Sequence, residues 1–303
     1  MSKKPMRLRR SQLAVPGVSE KMLSKAAASN ADHVFCDLED AVAPSAKAGA
    51  RDTICDALNE LDWGNTVRCV RVNDIGTQWC YEDIITVVEK AGKNIDTIML
   101  PKPLNASDVQ FADTLLTQLE MKLGLENKIG LEVLIEEVEA MQNVNEIASS
   151  CARLECMIFG MGDYAASQGL VMENIGLNES YPGDIFHYPR YQVTIAARAA
   201  GIDAVDGPFV DFKNTEAYRV ECQRALALGM VGKWAIHPSQ IDPALEVFSP
   251  SQSDVDFARE VIEVYKKAEA EGLGSVGHKG IMVDAASSRL FQNTVDRADL
   301  IGM

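Results

Sequence analysis

The stretches KIGLEVLIE (Lys128–Glu136) and CMIFGMGD (Cys156–Asp163) decide the fold. Each is a short, almost uninterrupted apolar run that ends on an acidic residue, the pattern of a strand buried on both faces. Working outward, six further runs follow the same rhythm: LAVPG from Leu13, HVFCDLED from His33, TVRCVRVN from Thr66, TIMLPK from Thr97, DAVDGP from Asp203 and KWAIHP from Lys233. Segments with helical periodicity lie between them. Ala50, Ile54 and Leu58 after Ser45 form one buried face, and Leu115, Leu119 and Leu123 after Ser107 form another. Eight strand–helix units imply a parallel sheet covered by helices, and they suit a closed (β/α)8 TIM barrel better than an open sheet. A doubly wound open sheet is the alternative; no GxGxxG follows the first strand, which weakens its dinucleotide-binding version.

The barrel is expected to occupy residues 1–248, because SPSQSD (Ser249–Asp254) supplies a polar break and a helix cap. Residues 249–303 read as a C-terminal helical extension: one helix, the glycine-rich GLGSVGHKG, then IMVDAASSRLFQNTVDRADLIGM. That last segment is too short to form a core alone, so it is expected to pack on a neighbour or to serve as a lid.

The apolar share of 47% is enough for a sizeable core, and no apolar run approaches the ~18 residues of a membrane span. No apolar signal core follows the basic N-terminus, so the expectation is a cytoplasmic protein with no membrane partner. The seven cysteines, at positions 36, 55, 69, 80, 151, 156 and 222, lack paired metal spacing and read as reduced core residues. A net charge of −15 opposes nucleic-acid binding. The cluster Lys3, Lys4, Arg7, Arg9 and Arg10 is either a local patch for an anionic ligand or a solvated tail.

Barrel enzymes carry their reacting groups at the carboxyl ends of strands. The polar residues there are Asp37, Glu39 and Asp40; Arg71 and Asn73; Lys102; Glu136; Asp163; and His237. Glu136 and Asp163 end adjacent predicted strands, which puts two carboxylates on one rim. That is a magnesium-type donor set, since zinc or copper would call for histidine or thiolate. The plainer readings are a helix cap for Asp163 and a first-turn acid beside Glu137 for Glu136. Arg71, on an otherwise apolar strand, is placed to clamp a carboxylate or an enolate oxygen, or to pair with Asp37, Glu39 and Asp40. Those acids are in turn placed to bind metal-held water or to orient Arg71 and Lys102. His237, before a proline, reads as a packed, hydrogen-bonded residue rather than an acid or base. No serine or cysteine has a nucleophile's neighbourhood.

The motifs VPGVSEKM, FCDLEDAVAPSAKAGAR, CVRVND, MLPKP, LIEEVEAM, FGMGDYAASQG, GKWAIHPSQI and GIMVDAA stand in an order and spacing that resemble the malyl-CoA lyase and citrate lyase β-subunit family of HpcH/HpaI aldolase-like barrels. DIFHYPR (Asp184–Arg190) and DGPFVDFKN (Asp206–Asn214) look more like the malyl-CoA or β-methylmalyl-CoA lyases within it. The resemblance implies Glu136 and Asp163 as Mg2+ ligands and Arg71 as the group facing the reacting carbonyl oxygens. It implies Asp284 as an acid or base reaching a neighbouring subunit's site; Glu39, Asp40 and Lys102 are expected, with Arg71, to bind substrate. It implies an acyl-CoA thioester cleaved to a shorter acyl-CoA and a 2-oxo acid, by a homotrimer or homohexamer. The chain departs from the family at Glu137, Val138 and Glu139, where small neutral residues are usual. A citramalyl-CoA lyase, a malyl-CoA thioesterase and a citrate lyase β-like subunit remain the alternatives.

Overall fold

The structure, a computed structural model, describes residues 6–171 and 183–303. Eight parallel strands close into a barrel in sequence order: β1 Ser11–Pro16, β2 His33–Asp37, β3 Val67–Arg71, β4 Thr97–Leu100, β5 Gly130–Ile135, β6 Leu154–Phe159, β7 Asp203–Asp206 and β8 Gly232–Ala235. The helices between and after them are α1 Glu20–Ala27, α2 Lys47–Glu60, α3 Cys80–Ala91, α4 Ala106–Leu123, α5 Val138–Gln142, α6 Val144–Ala148, α7 Met161–Ser167, α8 His187–Ala199, α9 Thr215–Ala227 and α10 Ile241–Phe248. Alternation along each strand divides the core in two. Phe35, Cys69, Met99, Leu134, Ile158, Val205 and Trp234 fill the barrel, whereas Val34, Val70, Ile98, Val133, Met157 and Ala204 meet the helices. Both faces are dry, which is why the runs read as continuously apolar.

Local signals set the helix ends. Asn105 and Asp108 form a reciprocal capping box at the start of α4, and Gly124 ends it in the left-handed region at φ 61°. Ala50, Ile54 and Leu58 of α2 are buried as their spacing predicts. On α4 the buried face runs through Val109, Ala112, Leu116 and Leu119, while Leu115 and Leu123 are only partly covered.

The floor of the barrel corrects the reading of the N-terminal cations. Arg9 is fully buried and reaches Glu132 (3.2 Å), Glu155 (2.8 Å) and Asp203 (3.1 Å). Arg7 pairs with Asp96 and Glu155, and Arg10 with Asp32. These three arginines are structural ion-pair partners, neither an anion patch nor a solvated tail; Lys3 and Lys4 lie outside the described residues. Glu132 also accepts hydrogen bonds from Gln12 and Thr97 and bonds His33 Nε2 at 3.1 Å. Burial alone would push its carboxyl up, but His33 and Arg9 hold it well below the usual range. All seven cysteines are free thiols, six buried and Cys151 half-buried.

After α10, Ser251 caps the long helix α11 (Gln252–Ala270). A two-stranded hairpin follows, β9 Ser275–His278 and β10 Ile281–Asp284, then α12 Ala285–Leu300 packed on α11. The extension is thus not wholly helical. Its hairpin turn is Lys279–Gly280, both with positive φ (46° and 84°), the two-residue geometry that matches strand twist. Among the described residues no helix is long and apolar enough to cross a membrane.

Glu132→Gln should cost about 3–5 kcal/mol in urea unfolding, because it leaves part of the Arg9 charge buried without its partner. An unchanged midpoint would show that Glu155 and Asp203 suffice to hold that guanidinium.

Candidate active site

At the opposite end of the barrel the strand ends are charged and open. β2 delivers Asp37, whose carboxylate accepts from the backbone of Glu39 (2.9 Å) and Ala41 (3.1 Å) and so folds the following turn around itself. β3 delivers Arg71, gripped in bidentate fashion by Asp37, with Nε to Oδ1 and Nη2 to Oδ2 both at 2.7 Å. The Arg71 guanidinium also lies 5.6 Å from the Phe35 ring centre and 5.5 Å from that of Trp234, so packing and pairing both fix it. Burial alone would push the Asp37 carboxyl up, but the charge and hydrogen bonds of Arg71 hold it below its ordinary value.

Glu39 then bridges two cations. One oxygen takes Lys102 Nζ at 2.6 Å; the other lies 2.9 Å from Arg71 Nη1, an ion pair without a directed hydrogen bond. Lys102, between two prolines after β4, sits at φ 49°, a conformation a side chain with Cβ adopts at a cost. The bend turns its backbone N–H onto Glu136 Oε1 (3.2 Å) and its Nζ into a ring of acids: Glu39, Asp40 (3.5 Å), Glu136 (3.8 Å) and Asp163 (4.0 Å). Burial would lower the Lys102 ammonium; the acids, Glu136 first, raise it well above the usual lysine range.

Glu136, immediately after β5, is 2% exposed, and Asp163, in the first turn of α7, has a side chain 46% exposed. The two therefore converge on one cation, one from inside the mouth and one from its edge. Burial pushes the Glu136 carboxyl up to about 8, with Glu39 and Asp163 adding to the rise against Lys102 and Arg71. The pocket is short of positive charge. A hard divalent cation that accepts two carboxylates and keeps room for further oxygen ligands fits this donor set. His33, Cys69 and Glu132 also bring ligand atoms within 4.8 Å of one another, but on the barrel floor, where Glu132 is already paired with Arg9. A further cation there would sit beside a guanidinium.

Asn73 is spent on Asp83, to which its side chain donates at 2.6 Å. His237 is exposed rather than packed inside; it accepts from Ser239 N–H (3.2 Å) and stacks on Phe212 at 4.8 Å. Glu137 is half-exposed; its backbone carbonyl accepts from Met141 N–H (3.0 Å). Asp284 caps α12 through Ser287 (2.8 Å), and the C-terminal half of that helix lines a cavity of about 510 Å³ beside Arg9 and Arg198, at the floor of the barrel. The structure thus gathers Glu39, Asp40, Arg71, Lys102, Glu136 and Asp163 into one mouth and leaves Asp284 on the separate extension.

Sequence reasoning missed Gly160. A Cβ there would come within 2.6 Å of both the Cβ and a carboxylate oxygen of Glu136, so the missing side chain is the space Glu136 occupies. The available signal was a glycine at a strand end beside the strand that carries a predicted ligand.

Residues 10–238 match the family model HpcH/HpaI aldolase/citrate lyase. The chain is 41% identical over 306 residues to the L-malyl-CoA/beta-methylmalyl-CoA lyase of Rhodobacter capsulatus, covering 98% of this chain and 96% of that one. It is 32% identical over 300 residues to the (3S)-malyl-CoA thioesterase of Cereibacter sphaeroides, covering 96% and 95%. Among solved structures it resembles protein CitE from Mycobacterium tuberculosis in complex with magnesium, acetoacetate and coenzyme A, with a TM-score of 0.74, 25% identity and coverage of 98% and 99%.

Gly160→Ala should weaken binding of Mn2+, used as a spectroscopic probe, by about tenfold or more, while thermal unfolding moves by only a few degrees, since about 1–3 kcal/mol of overpacking falls on one ligand. Unchanged Mn2+ affinity would separate Glu136 from the cation site.

Proposed function

This chain belongs to the HpcH/HpaI aldolase/citrate lyase family and is an oxo-acid lyase of CoA thioesters, and from that premise we propose a specific reaction: magnesium-dependent, reversible cleavage of malyl-CoA or β-methylmalyl-CoA to glyoxylate and acetyl-CoA or propionyl-CoA. One observation carries the reading. Two carboxylates from adjacent strand ends, Glu136 and Asp163, both lie within 4.0 Å of Lys102 Nζ, in the same mouth as Arg71, whose guanidinium is held by Asp37.

Glu136 and Asp163 would hold the magnesium, which when bound supplies Lewis-acid polarisation to the hydroxyl and carboxylate oxygens of the glyoxylate half. In cleavage the hydroxyl proton passes to a base and its electron pair becomes the aldehyde carbonyl. The broken carbon–carbon pair moves onto the thioester as an enolate. Of the five N–H groups of Arg71, two are committed to Asp37, and Nη1 pairs with Glu39 without a directed hydrogen bond, which leaves N–H groups for the enolate oxygen. Because Asp37 and Glu39 restrain the guanidinium before substrate arrives, little reorganisation is needed as that charge develops. Lys102, with Glu39 and Asp40 beside it, faces the substrate carboxylate.

The enolate carbon must then gain a proton, or lose one in the synthetic direction. Asp284 is assigned that transfer in trans. It lies on residues 249–303, read as an extension that closes over a neighbour's barrel in a homotrimer or homohexamer. In that extension Lys279 donates to Glu260 of α11, and Asp284 accepts from Ser287 N–H. The likeness to a (3S)-malyl-CoA thioesterase favours hydrolysis as the second reading, in which water consumes the thioester and free thiol appears. Citramalyl-CoA, which would release pyruvate, differs by one methyl group, a difference worth only about 1–3 kcal/mol in a pocket.

The test is a panel of malyl-, β-methylmalyl- and citramalyl-CoA with and without Mg2+, every product identified. Glyoxylate without free coenzyme A is expected, and free thiol as the main product overturns the lyase assignment. Arg71→Ala should lower kcat by about 10²-fold or more at saturating Mg2+; turnover within a few-fold of wild type removes Arg71 from the reacting oxygen. Asp284→Ala and Glu136→Gln should each be inactive alone and regain activity when co-assembled. No recovery in confirmed mixed oligomers would place Asp284 outside the neighbour's site.

A further inference from the structure

One buried cation beside the mouth has no part in the reaction above. Lys47, the first residue of α2, is 5% exposed and makes no ion pair among the described residues. Its Nζ instead donates to two backbone carbonyls, those of Leu38 (2.8 Å) and Glu39 (2.9 Å), with the Trp79 ring centre 5.2 Å away. An ammonium in such a place costs far more than a methionine would, unless its hydrogen bonds accomplish something. What they hold is the turn after β2. Asp37 collects that turn's N–H groups, at Glu39 and Ala41, while Lys47 collects its carbonyls, so the two ionised groups fasten the peptide from opposite polarities.

The side chain of the fastened residue, Glu39, joins the arginine to the lysine. Arg71 and Lys102 both take its carboxylate, and Lys102 in turn donates its backbone N–H to Glu136. A shift of the turn by a few tenths of an ångström would move the carboxylate that spaces the two cations. We propose that Lys47 is a positioning residue for the lyase reaction, acting through Glu39 to hold Arg71 and Lys102 at their working separation. The proposal rests on the lyase reading above and extends it to a residue outside substrate contact. Substrate affinity is expected to be insensitive to it, because Lys47 stands outside substrate contact in this reading.

The experiment compares wild type, Lys47→Met, Glu39→Gln and the double variant, with amide hydrogen exchange by mass spectrometry beside steady-state kinetics. In Lys47→Met, amides 38–42 should exchange about tenfold faster while the barrel floor keeps its protection. The value of kcat should fall by about tenfold or more with KM for the thioester within about threefold. Added to Glu39→Gln, the Lys47 change should cost less than about a further twofold, because the carboxylate it positions is already gone. Unchanged exchange and kcat, a loss confined to KM, or losses that multiply in the double variant would each overturn the proposal. Lys47→Gln, which keeps two donors on a shorter arm, serves if the methionine chain does not fold. Should wild type cleave none of the thioesters, the lyase reading falls while hydrogen exchange still decides whether Lys47 holds the turn.

Discussion

The structure depends on the crowding of carboxylates at the barrel mouth. Glu39 and Glu136 are almost sealed from water, Asp163 stands at the edge, and among the described residues only Lys102 and Arg71 form ion pairs with them. Burial pushes the Glu136 carboxyl up to about 8, and the nearby charges of Glu39 and Asp163 add to that rise. The shortage of positive charge makes the mouth receptive to a divalent cation. The strained Lys102 backbone, the gap at Gly160 and the clamp of Asp37 on Arg71 all serve to hold those few groups in place.

The two ends of the barrel use similar residues to opposite ends. On the floor, Arg7, Arg9, Arg68 and Arg198 meet Asp96, Glu132, Glu155 and Asp203, and Gln12, His33 and Thr97 fill in around Glu132, so cations and acids match in number and the network closes the barrel. At the mouth, the acids outnumber the cations and one face is open. A balanced buried network stabilises, and an unbalanced one binds. That division follows from chain direction: all eight parallel strands point their carboxyl ends, and the loops that can vary without breaking the sheet, to the same side.

The barrel was legible because its strands are dry on both faces and its helices on one, so periodicity alone separates them, as Val34 and Phe35 or Ala50 and Ile54 illustrate. The rim residues were legible as polar ends of apolar runs. What the sequence hid were residues whose meaning lies in a partner far along the chain. Glu132 stands inside an apolar strand, and its partner Arg9 lies more than a hundred residues away in the chain. Gly160 takes its meaning from Glu136, which fills its space, and Lys47 from the two carbonyls that its ammonium meets. The Lys279–Gly280 hairpin was a readable signal that the surrounding glycines obscured.

By itself the sequence determined the barrel, its order of strands and the set of polar groups at their ends, because burial pattern and chain direction are local properties written every few residues. Only the tertiary structure decided which cation faces which acid: that Arg71 is held by Asp37, that Lys102 turns into the ring of Glu39, Asp40, Glu136 and Asp163, and that Arg9 is buried among Glu132, Glu155 and Asp203. Coulomb energy and desolvation depend on distances between residues remote in the chain, and closure of the barrel sets those distances.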